Sequence, residues 1–206
     1  NGKTNNQQSI FEEQGWTDSL PLIIFIGRLV HEKAADLLRP ALEQAYRQYG
    51  KCFYSFILGS GEASIERSIE SIQHDMVGHF NARFEYNEAL SHRLYAAADF
   101  LLMPSRVEPC GLNQLYAMRY GTVPIVRRTG GLQDTVIDYE DWQGYGVCFQ
   151  HASVEDIVHA IGRALALYND TKKLAVARQN MMKINNSWER RAGDYIDLYN
   201  AILKPL

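Results

Sequence analysis

Phe100-Leu101-Leu102-Met103-Pro104, then Leu112 to Tyr120 followed by Gly121, then Val123-Pro124-Ile125-Val126, is the stretch from which the fold can be read. The first run is short, apolar and stopped by a proline, as a strand buried on both faces would be. Leu112–Tyr120 reads as a helix, and Gly121 is a good left-handed terminator for it. Val123–Val126 is a strand again. The pattern repeats on either side. Leu22–Ile26 is a strand broken by Gly27, with a helix from about Ala34 to Tyr49. Phe53–Leu58 is a strand ended by Gly59-Ser60-Gly61, with a helix near Glu62–His74. Ala82–Tyr86 is a weaker strand, and Ser91 falls in the first turns of a helix through Ala98. Gly146–Phe149 is the last strand. Ser153 opens a helix to about Tyr168, with Glu155 and Asp156 in its first turn. Helices over 171–182 and 188–203 follow. Residues 1–20 are polar and read as a lead-in segment with one helical turn or more.

Six strands separated by helices predict one α/β domain over residues 1–206, a parallel sheet covered on both faces. Such sheets bind ligands beyond the carboxyl ends of their strands. The glycine turns at Gly27, Gly59-Ser60-Gly61 and Gly130-Gly131 each follow a strand and are expected to gather there. Composition narrows the function. With 206 residues, 46% of them hydrophobic and 22% charged, this is an ordinary globular chain. A net charge of −3 gives no electrostatic case for nucleic acid, so a phosphate ligand needs a local basic cluster. Three cysteines with no CxxC pair argue for a reducing compartment and against zinc. No apolar run reaches the roughly 18 residues of a membrane span. The chain starts at Asn1 without an initiator Met or a signal peptide, which predicts a piece of something longer.

The residues around these turns carry chemistry. Arg28 and Lys33 bracket a strand-to-helix loop, where Arg offers a fork and Lys a point charge to phosphate oxygens. Taken alone they are ordinary solvated cations. Glu108 stands in the loop after Pro104, shortly before the predicted helix at Leu112, whose unpaired N–H groups favour anions. A carboxylate beside such a terminus suits a ligand that combines phosphate with a hydroxyl-rich sugar. Cys110 has no evident partner base and reads as a small, partly buried thiol. The histidines show no metal-ligand spacing.

The wording of Glu108-Pro109-Cys110-Gly111-Leu112, Tyr120-Gly121-Thr122-Val123-Pro124 and Arg127-Arg128-Thr129-Gly130-Gly131-Leu132 resembles the C-terminal domain of glycogen and starch synthases. These are retaining glucosyltransferases that lengthen α-1,4-glucans from a nucleotide-sugar. The likeness runs from the lead-in segment to Trp188, Tyr195 and Tyr199. It implies a Rossmann-like domain forming the C-terminal half of a GT-B fold. The terminal helix, in residues 186–206, would cross to an N-terminal domain absent here. Arg28 and Lys33 match the cations that bind the diphosphate, and Glu108 the carboxylate beside the donor glucose. Gly111, Leu112 and Asn113 match the N–H donors to the distal phosphate. Tyr86 matches the aromatic against the nucleobase, and Thr129 and Gly130 line the sugar side. Ala34 stands where the family usually has glycine, a methyl group that would restrict the loop. Tyr116 stands where related enzymes carry a second Glu, a departure shared by glycogen synthases.

The implied partners are ADP-glucose, or less often UDP-glucose, and an α-1,4-glucan. No cofactor, metal, nucleic acid or membrane is implied, and the expected location is the cytoplasm, or the plastid stroma in a plant. Two other readings stay open at this point. One is a GT-B enzyme with a different sugar or acceptor, and the other is a non-catalytic module that binds nucleotide-sugar or glucan.

Overall fold

The computed structural model describes residues 2–203. Helix α1 (Gly2–Gln14) leads into strand β1 (Leu22–Ile26), whose first four residues are buried. Two 3-10 turns, His31–Lys33 and Ala35–Leu37, precede α2 (Leu38–Tyr49). Then come β2 (Tyr54–Leu58), α3 (Ala63–Glu70), α4 (Ile72–Asp75), β3 (Phe80–Arg83) and α5 (Glu88–Ala97). The second half holds β4 (Phe100–Met103), α6 (Asn113–Arg119), β5 (Val123–Arg127), α7 (Gly130–Thr135) and β6 (Val147–Phe149). Helices α8 (Val154–Asn169), α9 (Thr171–Met182) and α10 (Trp188–Leu203) close it.

All neighbouring strands pair in parallel, in the order β3-β2-β1-β4-β5-β6. The chain winds outward from β1 through β3, returns to β4 beside β1, and winds outward again. Strand order therefore reverses between β1 and β4, which opens a crevice at their carboxyl ends. β2 and β4 are buried along their whole length, as apolar strands covered on both faces must be. Helix α2 packs on α8, while α1 packs on α5 and α5 on α6. The expected α/β class, sheet size and strand direction hold. Among the described residues no helix is long and apolar enough to cross a membrane.

Several boundaries differ from the sequence reading. β3 starts at Phe80 because Phe80 and Ala82 alternate inward, whereas Glu85 and Tyr86 lie in the following loop. Helix α5 is capped by Asn87, whose side chain accepts from Leu90 N at 2.9 Å, and Ser91 only donates to Glu88 O. Helix α7 ends at Asp134 and Thr135. The lead-in segment is a full helix anchored by Ile10, Phe11 and Trp16. The Trp16 ring stacks on Tyr54 at 4.4 Å, with Phe11 edge-on to both. Such pairs add about 0.5–1.5 kcal/mol beyond their burial, so three apolar residues suffice to seat a polar helix.

Lys3 of α1 is half-buried, and its Nζ donates to Thr122 Oγ1 at 2.9 Å. Burial lowers its pKa to about 7, Arg178 lowers it further, and Asp99 opposes both. The folded state thus holds fewer protons than the unfolded chain between about pH 7 and the ordinary lysine range. Stability from this group is full above that range and is lost as pH falls through about 7. Thermal melts at successive pH values are expected to rise from pH 7 to 9, and Lys3→Met to be more stable at pH 7 with a flatter profile. An unchanged slope in Lys3→Met would refute this origin.

Candidate functional site

The crevice is built from backbone first. Gly27 N donates to Leu58 O at 3.0 Å and Leu29 N to Ser60 O at 2.9 Å, which binds the turns after β1 and β2 together. A Cβ on Gly59 would stand 1.8 Å from Gly27 O, so only glycine fits there. The turn carrying Lys33 closes through Ala34, whose N–H donates to His31 O at 2.9 Å. Ala34 sits at φ 53°, ψ 32°, a left-handed conformation that costs a non-glycine residue about 1–2 kcal/mol. The methyl is fully buried.

That loop is laced to the one after β4. Arg106 N donates to Glu32 O at 2.8 Å, and the Arg106 guanidinium forks the Asp36 carboxylate at 2.6 and 2.9 Å. Arg127 takes a structural part: its Nε donates to Ser105 O at 2.8 Å and its Nη2 to Arg106 O at 2.7 Å. Between the laced loops, Lys33 Nζ meets Glu108 Oε2 at 2.7 Å, and Ser105 Oγ donates to the same oxygen at 3.1 Å. The Glu108 side chain is 9% exposed and that of Lys33 21%, so the pair is little screened.

Two cavities adjoin here. The first, of about 350 Å³, is lined by Arg28, Tyr86, His92, Tyr95 and Tyr116. The second, of about 360 Å³, is lined by Lys33, Ser105, Glu108, Cys110, Gly111 and Leu112. Ile26, Gly27 and Asn113 belong to both, and Asn113 Nδ2 donates to Ile26 O at 2.7 Å, fixing the wall between them. Tyr86 stands at the rim, 87% exposed. Arg28 is exposed as well and meets Glu32 at 3.2 Å, so its guanidinium is free to turn inward.

Seven of the residues singled out from sequence thus meet at this crevice: Arg28, Lys33, Tyr86, Glu108, Gly111, Leu112 and Asn113. Thr129 and Gly130 do not line either cavity. Gly131 N donates to Glu108 O at 3.0 Å and to Pro109 O at 3.2 Å, while Cβ atoms on Gly130 and Gly131 would stand 2.1 and 2.0 Å from Glu108 O and Cys110 O. The pair is a seat for the Glu108 turn. Gly131→Ala is accordingly expected to destabilise by about 1–3 kcal/mol through overpacking against fixed backbone. A melt indistinguishable from wild type would sink that assignment. Cys110, read as partly buried, is exposed, because the turn between Pro109 and Gly111 carries it outward.

Sequence reasoning missed Ser105, His92 and Gln114. The signal for Gln114 was available: it lies three and four residues before Ala117 and Met118, on the buried face of α6.

The sequence profile of the glycosyl transferases, group 1, matches residues 6–181. The chain belongs to this family. A glycogen synthase of Flavobacterium johnsoniae is 48% identical to this group 1 glycosyltransferase chain over 203 residues, 98% of the chain and 43% of the relative. The chain therefore spans less than half the length of that relative. Starch synthase IV of Arabidopsis thaliana, solved with ADP and acarbose bound, is 35% identical with a TM-score of 0.85, covering 97% of this chain and 42% of that one. The C-terminal domain of a group 1 glycosyltransferase from Francisella tularensis shares the fold alone, at 18% identity and a TM-score of 0.66 over 85% of this chain and 89% of that one. The fold is thus the Rossmann-like C-terminal half of a GT-B glycosyltransferase.

Proposed function

We propose that this chain is the donor-binding half of a glucosyltransferase of the glycogen and starch synthase type. It takes ADP-glucose, with UDP-glucose as the alternative donor, and the whole enzyme moves glucose with retention to the non-reducing end of an α-1,4-glucan. The observation that carries this reading is the Lys33–Glu108 pair on the floor of the second cavity, next to an aromatic cavity with Arg28 at its edge. The nucleoside fits the first cavity, with Tyr86 against the base. The glucose fits the second, with Glu108 accepting from its hydroxyls. The diphosphate then lies over Gly27 and Asn113, between Arg28 and Lys33.

When the bond from the anomeric carbon to the phosphate oxygen breaks, the electron pair leaves with the diphosphate. The acceptor hydroxyl oxygen bonds to that carbon, and its proton passes to the departing phosphate. The growing negative charge needs fixed positive partners, often the largest catalytic term. Helix α6 is only seven residues long and its dipole adds little. The task falls on Arg28, Lys33 and the N–H groups at Gly111 and Leu112. Gly130 and Gly131 act from behind, through the Glu108 turn they seat.

The acceptor site and the second wall of the cleft belong to the remainder of the longer protein, for which the cytoplasm is the expected location. Helix α10 buries none of its residues, and Trp188, Tyr195, Ile202 and Leu203 are exposed along it. That face packs on the remainder. Calorimetry tests the donor reading: ADP is expected to bind this chain, and UDP less tightly. No heat of binding with either nucleotide would overturn it.

A further inference from the structure

Gln114 is fully buried, though it is polar and only the second residue of α6. Its Nε2 faces three acceptors: Gly111 O at 2.9 Å, Thr135 Oγ1 at 3.1 Å and Cys110 O at 3.2 Å. Its Oε1 is buried with no hydrogen-bond partner. An orphaned buried acceptor lowers stability, and a carboxamide ordinarily escapes by turning over, since its two ends have nearly one shape. Here that escape is closed. The Thr135 hydroxyl already donates to Gly131 O at 2.5 Å, so toward Gln114 it can only accept. The other two neighbours are carbonyls. A turned amide would set an acceptor against three acceptors. The orientation is fixed by its surroundings, and the orphan is the consequence.

The fixed amide has an effect on the far side of the turn. In a planar trans peptide the C=O and the following N–H point in opposite directions. Gln114 draws the carbonyls of Cys110 and Gly111 toward itself. The N–H groups of Gly111 and Leu112 therefore point away from it, on the side where these two residues line the second cavity. Gly131 N grips the carbonyls of Glu108 and Pro109 at the other end of the same turn. Gly111 is tied to this arrangement too. It has φ 70°, and a Cβ on it would stand 2.5 Å from Gln114 Oε1.

We propose that Gln114, oriented by Thr135, is a positioning residue that sets the polarity of the Glu108–Leu112 turn. By holding two carbonyls inward it presents two N–H donors to the diphosphate and keeps Glu108 at the sugar. The ligand in this statement rests on the donor-binding reading above, whereas the clamp itself does not.

The experiment compares Gln114→Leu, Thr135→Val and Thr135→Ser in the full-length protein that carries this chain. Leucine is of similar size and removes the orphaned oxygen, but it also strips the donor from the Cys110 and Gly111 carbonyls, so Gln114→Leu is expected to stay folded and to melt several degrees below wild type. Hydrogen exchange over residues 108–112 is expected to speed up at least tenfold, with the β4 amides unchanged. ADP affinity falls at least tenfold while adenosine affinity stays within twofold, because only the diphosphate meets the turn. Thr135→Val follows Gln114→Leu, and Thr135→Ser, which keeps the hydroxyl, follows wild type. Unchanged exchange in Gln114→Leu overturns the clamp. Faster exchange with equal losses for ADP and adenosine overturns its role in positioning. A wild type that binds neither nucleotide overturns the donor reading and the ligand with it, and exchange still decides the clamp.

Discussion

Lys33→Ala is expected to weaken ADP binding roughly 10- to 100-fold and to destabilise the domain at the same time. The two effects have separate causes. A charged hydrogen bond is worth about 1.5–3 kcal/mol, and each 1.4 kcal/mol is tenfold in affinity. The stability loss comes from Glu108. With Lys33 gone, a carboxylate 9% exposed keeps only the Ser105 hydroxyl at 3.1 Å. Breaking a buried pair by removing one partner costs about 3–5 kcal/mol, and the partial exposure of Lys33 places this case at or below the low end. Glu108→Gln in the Lys33→Ala background removes the stranded charge. The double variant should therefore regain most of the stability and none of the ADP affinity. Melts and calorimetry on the four proteins close the cycle. If the double variant recovers ADP affinity, the loss lay in a collapsed loop and Lys33 is not a phosphate ligand. Equal affinity of wild type and Lys33→Ala would end the assignment outright.

The fold was legible where burial leaves little choice. The runs that became β1 and β4 are apolar end to end, and β2 and β5 depart from this only at Ser55 and the terminal Arg127, because both faces are covered and no amphipathic alternation confuses them. β3 lies at the sheet edge with a half-buried pattern, and its boundary slipped. α1 was illegible as a docked helix because its hold comes from three apolar residues, ring stacking and long-range hydrogen bonds of Lys3 and Gln7, tertiary effects with no period in the sequence.

The site divides in the same way. Glycine turns after parallel strands locate the crevice on general grounds, but nothing local joins Lys33 to a carboxylate 75 residues away. Resemblance placed the two in one site, and only the structure shows that they pair. Resemblance assigns Thr129 and Gly130 to the sugar side, and the backbone contacts add what it does not give: Gly130 and Gly131 are shaped to let two loops touch.

This chain alone is expected to bind donor nucleotide and to transfer no glucose. The crevice at the carboxyl ends of β1 and β4 presents one wall: an aromatic-lined cavity, two cations and a carboxylate. No second wall faces it among the described residues, and α10 lies uncovered. Catalysis between two substrates depends on holding both, and well-oriented positioning is worth about 7–11 kcal/mol of barrier. A glucan that meets the donor only by diffusion forgoes that amount, which by the tenfold-per-1.36 kcal/mol relation is a rate loss of about five orders of magnitude or more. Open access of water to the cleft lowers the strength of every charge interaction within it as well. Cation placement and folding do not need the other wall, because the sheet and both helical layers are already present. The expected result with labelled ADP-glucose and glycogen is therefore binding of ADP without incorporation of label. The same assay on the full-length protein should give incorporation that Glu108→Gln cuts at least a hundredfold. Efficient extension by this chain alone would show that the acceptor also binds here, and the two-wall reading would have to be abandoned.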